Sequence, residues 1–261
     1  MKKILITGAN SYIGTSFEDY IKNFDGYEVT TLDMIGDAWK NADFSGFDVV
    51  FHVAGIAHIK ETEENKHLYY DVNRDLAIET ALKAKDNNVK QFVLLSSMSV
   101  FGMTTGVINK NTIPAPVSNY GKSKLEADTA IEKLCNEDFK VAIMRPPMVY
   151  GENCKGNYQL LKKFALKFPF FPDYKNERSM IHISTLCEKV KEIIDGEKQG
   201  YFYPQDTEYV CTTEMVKKIA EENGKKVRFV KIFNPVIRCC KIGVVEKVFG
   251  NLIYEKNMED N

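Results

Sequence analysis

The sequence lacks an excess of charge of either sign, with 35 Lys and Arg against 36 Asp and Glu and a net charge of −1. Proteins that grip duplex nucleic acid or an anionic membrane carry a surplus of cations. The balance therefore excludes nucleic acid as the expected partner and points to a small molecule. Apolar runs are also short. None approaches the ~20 residues that cross a bilayer, and the start, Met1-Lys2-Lys3-Ile4-Leu5-Ile6-Thr7, reaches Gly8 too soon for a signal peptide. No membrane span and a cytoplasmic location are expected. The six cysteines, at 135, 154, 187, 211, 239 and 240, form no Cys-x-x-Cys pair, and no His stands at metal-ligand spacing. Neither a metal site nor a disulfide framework is expected. The adjacent Cys239 and Cys240 read as small apolar residues buried on a C-terminal helix rather than as a redox switch or lipidation site.

The composition, 44% hydrophobic and 27% charged over 261 residues, is that of a folded globular chain. Short apolar runs at 4–7, 27–33, 48–54, 91–96 and 140–145 read as strands, most of them separated by helical patterns. Such alternation predicts an α/β fold, a Rossmann-like doubly wound parallel sheet covered on both faces. The segment between Asp33 and Asp48 is too short for a further strand and helix, so an abbreviated unit is expected at 34–43, with Trp39 packed on the sheet. After Gly151 the pattern changes. Helices at about 158–168, 185–195 and 214–223 alternate with proline-bearing loops and short strands near 200–203 and 228–232. This predicts a dinucleotide-binding domain over 1–150 and a smaller C-terminal substrate-binding lobe over 151–261, with part of the chain returning to the first domain. The prolines of 168–172 mark a lobe connection. The stretch from Pro235 to Phe249 reads as packing on the second lobe, in preference to a helix for a membrane surface or a partner.

Directly after the first strand stands Thr7-Gly8-Ala9-Asn10-Ser11-Tyr12-Ile13-Gly14, a glycine turn that opens a helix. Glycine permits the tight turn, and free N–H groups at a helix start attract a pyrophosphate. Nineteen residues beyond Gly14, Asp33 ends the second strand, where its carboxylate can accept bonds from a ribose. The expected cofactor is NAD, with NADP the alternative, because a 2′-phosphate would meet the negative charge. Gly8, Asn10, Ser11, Tyr12, Ile13, Gly14 and Asp33 are the candidate residues. Ser11 stands where a glycine is usual; its hydroxyl can cap the helix or contact phosphate.

Beyond the fourth of these strands comes Ser96-Ser97-Met98-Ser99, and 23 residues after Ser97 comes Tyr120-Gly121-Lys122-Ser123-Lys124. Strand C-terminal ends face the ligand crevice in an open parallel sheet. Tyr120 and Lys124, four apart on a helical pattern, share one face. A free phenol, with a pKa of about 10, is a poor base at neutral pH, but a neighbouring ammonium favours the phenolate. Ser97, Tyr120 and Lys124 are thus the candidate catalytic residues. Tyr120 handles a proton, Ser97 bonds the reacting oxygen, and Lys124 lowers the phenol's pKa and holds the nicotinamide ribose.

With these motifs stand Asp48-Val49-Val50-Phe51-His52-Val53-Ala54-Gly55, Asn73 before a helix, Val89-Lys90-Gln91-Phe92-Val93 and Arg145-Pro146-Pro147-Met148-Val149-Tyr150-Gly151. Together they resemble the extended short-chain dehydrogenase/reductases, in the NAD-dependent epimerase/dehydratase group acting on nucleotide sugars. The resemblance implies that Ala54 and Gly55 lie along the cofactor and that Pro146 borders the nicotinamide. It also implies that 155–157 and 176–179 face the nucleotide diphosphate of the substrate, through Asn157 and Arg178, and that the protein is a homodimer through the Tyr120 helix and its neighbour. Family dehydratases carry Thr-Asp-Glu where this chain has Ser97-Met98-Ser99, so dehydration is disfavoured. Many 4-epimerases have an asparagine at the place of Met148. The segments 146–151, 155–157 and 176–179 are similar to reductases of 4-keto-6-deoxy-hexosamine nucleotides in bacterial polysaccharide pathways. The expected activity is therefore hydride transfer at C4 of a nucleoside diphosphate sugar, reduction of a 4-keto sugar being favoured over 4-epimerisation. A non-catalytic dinucleotide sensor on the same fold is the competing reading. His58, a loop histidine with no evident partner, is left out of the catalytic set.

Overall fold

The computed structural model describes residues 1–57, 59, 61–154, 156–239, 243–256 and 258, with Asn157 and Val244 described by their backbone alone. In chain order the first half runs β1 (Lys2–Thr7), α1 (Tyr12–Ile21), β2 (Tyr27–Leu32), β3 (Val49–His52), α2 (His67–Tyr70), α3 (Leu76–Asp86), β4 (Gln91–Leu95), β5 (Gly106–Ile108) and α4 (Asn119–Glu132). The second half adds β6 (Lys140–Met144), β7 (Met148–Tyr150), α5 (Asn157–Lys167), β8 (Phe170–Pro172), β9 (Met180–His182), α6 (Ile183–Asp195), β10 (Gly200–Phe202), α7 (Thr212–Glu222), β11 (Arg228–Val230), α8 (Asn234–Cys239), α9 (Gly243–Phe249) and β12 (Leu252–Tyr254).

Six strands form one parallel sheet in the order β10-β6-β4-β3-β1-β2. β3 and β4 are buried along their whole length, which is why their sequences are continuous apolar runs rather than alternating ones. One face packs under α1 and α6, with Phe17, Ile21, Leu186 and Val190 against Ile4, Ile6 and Phe51. The other packs under α3 and α4, with Ala77, Ala81, Ala127 and Ile131 against Val50, Phe92 and Leu94. Helices on both faces make the sheet doubly wound. Strand order reverses between β1 and β3, and in such sheets the crevice beyond the carboxyl ends at that point takes the ligand. Beyond β2 the sheet has no further strand. A short 3-10 helix, Ala38–Asn41, stands there instead, and Trp39, 3% exposed, packs with Met34 and Ala54.

The chain after Gly151 does not stay in one place. α6 packs on α1, and β10 completes the main sheet beside β6, so the strand at 200–203 belongs to the main sheet and not to the second lobe. The smaller lobe is built from α5, α7 and the β8–β11 pair around Leu161, Phe171, Val216 and Ile219. The prolines of 168–172 sit in and beside β8, an edge pairing of three residues. α9 joins this core through Val248 and Phe249. α8 does not: it has no buried residue, and Cys239 is exposed. The expected burial of Cys239 is thus corrected, while Cys240 lies outside the described residues. Only hydrophobic sequence argued for burial there, and no neighbouring element among the described residues covers that helix.

Candidate active site

The first turn is held by contacts that sequence spacing anticipates only in outline. Gly8 has φ +118°, and a Cβ on it would stand 2.7 Å from the Ala54 nitrogen. Only glycine lets the end of β1 approach the loop after β3 so closely. Ser11 is the N-cap of α1: its backbone is extended and its Oγ accepts from Gly14 N at 3.1 Å. The serine in a glycine's usual place therefore serves the helix start. Thr15 N donates to Ser11 O, which leaves the first-turn N–H groups of Tyr12 and Ile13 with no bonded acceptor among the described residues. Asn10 carries the turn with a left-handed φ of +61°. Gly8 N and Ala9 N both donate to Leu32 O, so this turn lies against the end of β2, and Asp33 follows at once with an exposed carboxylate that accepts from Ile35 N at 3.0 Å.

The side chain of Tyr12 does not point along that surface. Its hydroxyl is buried without a bonded partner among the described residues, close to Gly151, and burial pushes it up to about 12. Only its N–H is left for an anion at the turn. Ile13 packs its side chain on the sheet core.

Ser97, Tyr120 and Lys124 come from two elements. Ser97 follows the carboxyl end of β4 and caps a short 3-10 helix, Met98–Phe101, its Oγ accepting from Ser99 N at 3.1 Å. Met98 N donates to Pro146 O at 2.9 Å, which fixes the Ser97 turn to the loop after β6. α4 begins at the Ser118 cap, and Gly121 lets it lie on that turn, since a Cβ there would stand 2.6 Å from Ser99 O. Tyr120 is half-buried and Lys124 is 5% exposed. Burial pushes the Tyr120 phenol up, and the Ser97 hydroxyl beside it pulls it back. The opposing pull thus comes from Ser97, whereas the sequence reading assigns it to Lys124. The reason is where the ammonium goes: Lys124 Nζ donates to Leu95 O at 2.8 Å and lies 3.3 Å from where a Cβ on Gly55 would stand. Burial lowers Lys124 to about 8, with Asp128 opposing.

Two residues that sequence reasoning left out of the site support it. Asn73 is fully buried in a π-helical turn, Asp71–Asp75, a distortion common at functional sites. Its Oδ1 accepts from Ile56 N at 2.8 Å and its Nδ2 donates to Ile56 O at 2.9 Å, clamping the Gly55 loop beside Lys124. The asparagine before a helix was visible as a motif, but its clamp joins residues seventeen apart. Asp128, one turn beyond Lys124, is buried, receives Ser96 Oγ at 2.9 Å and pairs with buried Arg145 at 3.0 Å.

The Arg178 guanidinium donates to Gly250 O at 2.7 Å and Glu246 O at 3.4 Å, and so caps the C-terminal end of α9. A helix end offers unpaired carbonyls, and a guanidinium satisfies them as readily as it would an anion. Asn157 starts α5, and its side chain, like Lys155 and His58, is not among those described. A cavity of about 550 Å³ lies past β7, between Tyr150, Tyr158, His182, Tyr209 and Glu214, and is lined by none of Ser97, Tyr120 and Lys124.

The residues present fit a dinucleotide. The glycine-permitted approach of 8 to 54, the two free N–H groups, the carboxylate at 33 and the amine beside Gly55 follow one another along the carboxyl ends of β2, β1 and β3. A UDP-glucose 4-epimerase of Vibrio cholerae is 32% identical over 84% of this chain and 75% of its own length. Among solved structures, the UDP-glucuronic acid 4-epimerase of Bacillus cereus in complex with NAD superposes with a TM-score of 0.75 at 19% identity, over 98% of this chain and 88% of that one. The dTDP-4-dehydrorhamnose reductase of Bacillus anthracis in complex with NADP gives 0.73 at 20% identity, over 99% and 92%. At those identities the two structures show the fold. The family model for NAD dependent epimerase/dehydratase matches residues 4–200, and with it the fold, the glycine turn and the Tyr120–Lys124 helix place this chain in the NAD-dependent epimerase/dehydratase family of enzymes.

Proposed function

We propose that this enzyme transfers hydride at C4 of a nucleoside diphosphate sugar, with Tyr120 moving the matching proton. The observation that carries the reading is the convergence of the Ser97 hydroxyl on the Tyr120 phenol, one helical turn from Lys124, at the carboxyl ends of the central strands. Residues 8–14, Asp33, Ala54 and Gly55 would hold NAD, whose nicotinamide accepts and returns the hydride when bound. Tyr120 takes the proton from the C4 hydroxyl, or gives it to the C4 carbonyl, at its phenol oxygen. Ser97 Oγ orients that oxygen and favours the phenolate, and Lys124 holds a ribose hydroxyl. Asp33 supports NAD over NADP, because its carboxylate would repel a 2′-phosphate. The Ser97-Met98-Ser99 turn offers no carboxyl to expel water, which argues against dehydration.

Net reduction of a 4-keto sugar and 4-epimerisation use this same triad. The similarity of segments 146–151, 155–157 and 176–179 to 4-keto-6-deoxy-hexosamine reductases supports reduction, for precursors of bacterial surface polysaccharide. The 32% identity to a 4-epimerase supports epimerisation. Stoichiometry separates the two. A panel of UDP- and dTDP-linked sugars and their 4-keto forms, followed by NADH absorbance and product identity, should give one NADH consumed per product for a reductase and none for an epimerase. NAD binding with no C4 product from any panel member would sink the proposal. Division of labour between 1–150 for the cofactor and 151–261 for the sugar nucleotide, and a homodimer through α4 and its neighbour, belong to the same reading; sedimentation velocity tests the dimer.

A further inference from the structure

The near-zero net charge hides a local asymmetry at one end of the smaller lobe. On α5 and at its C-cap, Leu160, Phe164 and Phe168 recur every fourth residue and are 53%, 46% and 49% exposed, with the two phenylalanine rings stacked at 5.3 Å. Phe170 continues the stripe at 51% exposure. It lies on the face of β8 opposite buried Phe171, with exposed Arg228 as its register partner on β11. β11 leads through a three-residue turn into α8; in the turn Ile232 is 78% and Phe233 46% exposed, and on α8 Val236 is 64% exposed. The two pieces are tied together, since Asn234 Nδ2 donates to Asp173 O at 2.9 Å. Single exposed apolar residues are ordinary; seven in two joined segments are not.

Charge says what covers them. The stretches 157–172 and 225–239 together carry eight Lys and Arg and no Asp or Glu, in a chain of net charge −1. Of the flanking acids Asp173, Glu221 and Glu222, Asp173 is already engaged by Lys231 at 3.7 Å. Lys163, Lys167, Lys225, Lys226, Arg228 and Arg238 are all exposed. A symmetric contact with a second copy would set these cations against themselves. A surface that offers anionic headgroups above hydrocarbon satisfies both the cations and the aromatic stripe. No helix among the described residues is long and apolar enough to cross a membrane, so the contact is one of lying on the surface.

We infer that the α5–β8–α8 end of the smaller lobe docks on an anionic phospholipid bilayer. The test is co-sedimentation of the whole chain with vesicles of phosphatidylcholine mixed with phosphatidylglycerol, and with phosphatidylcholine alone. The expected result is binding to the mixed vesicles that weakens roughly tenfold or more on omitting the anionic lipid, on raising salt, and in each of the variants Lys163→Glu/Lys167→Glu and Phe233→Ser/Val236→Ser. All four positions are exposed, so thermal unfolding and NAD binding should stay as in the parent. Absence of binding to mixed vesicles at low salt would overturn the inference, as would variants that bind like the parent. A dimer in solution that Phe233→Ser/Val236→Ser dissolves would overturn it in favour of a second copy. The assay contains no sugar nucleotide, so its outcome is independent of the proposed chemistry.

Discussion

Tyr120 illustrates how one side chain is set between opposing effects. Burial alone would make its phenol a worse base than free tyrosine, and the neighbouring Ser97 hydroxyl works against this. Tyr120→Phe removes the hydroxyl and keeps the ring that packs edge-on to Tyr69. It should leave NAD affinity within about twofold and lower kcat by roughly 10²–10⁴, the usual share of a positioned proton-transfer group; isothermal titration beside steady-state rates checks both, and an unchanged kcat would remove Tyr120 from the chemistry. Lys124 gives a second handle. Its pKa is lowered to about 8 by burial, below the unfolded value of about 10.4. The folded state thus releases this proton first: below pH 8 the buried charge weighs against folding, and stability rises with pH between the two values. Catalysis runs the other way, because it uses the charged amine, so kcat/KM should fall as pH climbs past about 8. Asp128 raises Lys124, so Asp128→Asn should move that alkaline limb to lower pH. A pH–rate profile with the limb unmoved would show that Asp128 serves Arg145 alone.

At the scale of the element, the glycine turn shows what a sequence can and cannot display. The turn, its place after a buried strand and the acid at 33 are local features, and local spacing makes them legible. The reason for Gly8 is not local. It lies in the backbone of Ala54, forty-six residues away, at 2.7 Å from the Cβ that Gly8 lacks. Gly8→Ala is therefore strained twice, by its φ of +118° and by a collision with backbone that cannot yield as a side chain would. It should destabilise the fold by about 2–3 kcal/mol and abolish NAD binding, read by thermal unfolding with and without NAD. Ser11 behaves differently because its oxygen is what the helix uses. Ser11→Ala should cost about 1 kcal/mol of stability through the lost cap, and Ser11→Gly only a few tenths. Equal losses from the two would mean that Oγ of Ser11 does not act as the cap.

Across the whole molecule, the parallel sheet was readable because buried strands announce themselves as apolar runs, and because the short 33–48 interval left no room for another strand. The part after residue 150 was less so. Its strands are three residues long, too short for a periodicity, and their partners are distant in sequence. β10 returns to the main sheet beside β6, and β12 pairs with β5, near the Ser97 turn. The cap that Arg178 makes on α9 was not legible either, because in sequence a guanidinium looks the same whether it caps a helix or holds a phosphate. What closes the structure is the end of the described chain. Tyr254 is fully buried, sits at right angles to Phe101 behind the Ser97 turn, and donates its hydroxyl to Arg145 O at 2.7 Å, while Arg145 in turn holds Asp128. One side chain thus joins β12, the end of β6 and the ion pair that supports Lys124. Tyr254→Ala leaves a ring-sized cavity and an unpaired carbonyl, and should destabilise by about 3–5 kcal/mol. Tyr254→Phe keeps the ring and loses only the bond, for about 1 kcal/mol. Chemical denaturation of the two variants, with the rate at saturating substrate measured below each transition, separates packing from support of the site. If the phenylalanine variant keeps the parent rate while the alanine variant loses it in the still-folded population, the packing of β12 is what holds the Ser97 turn in place. Parent rates in both would confine β12 to stability.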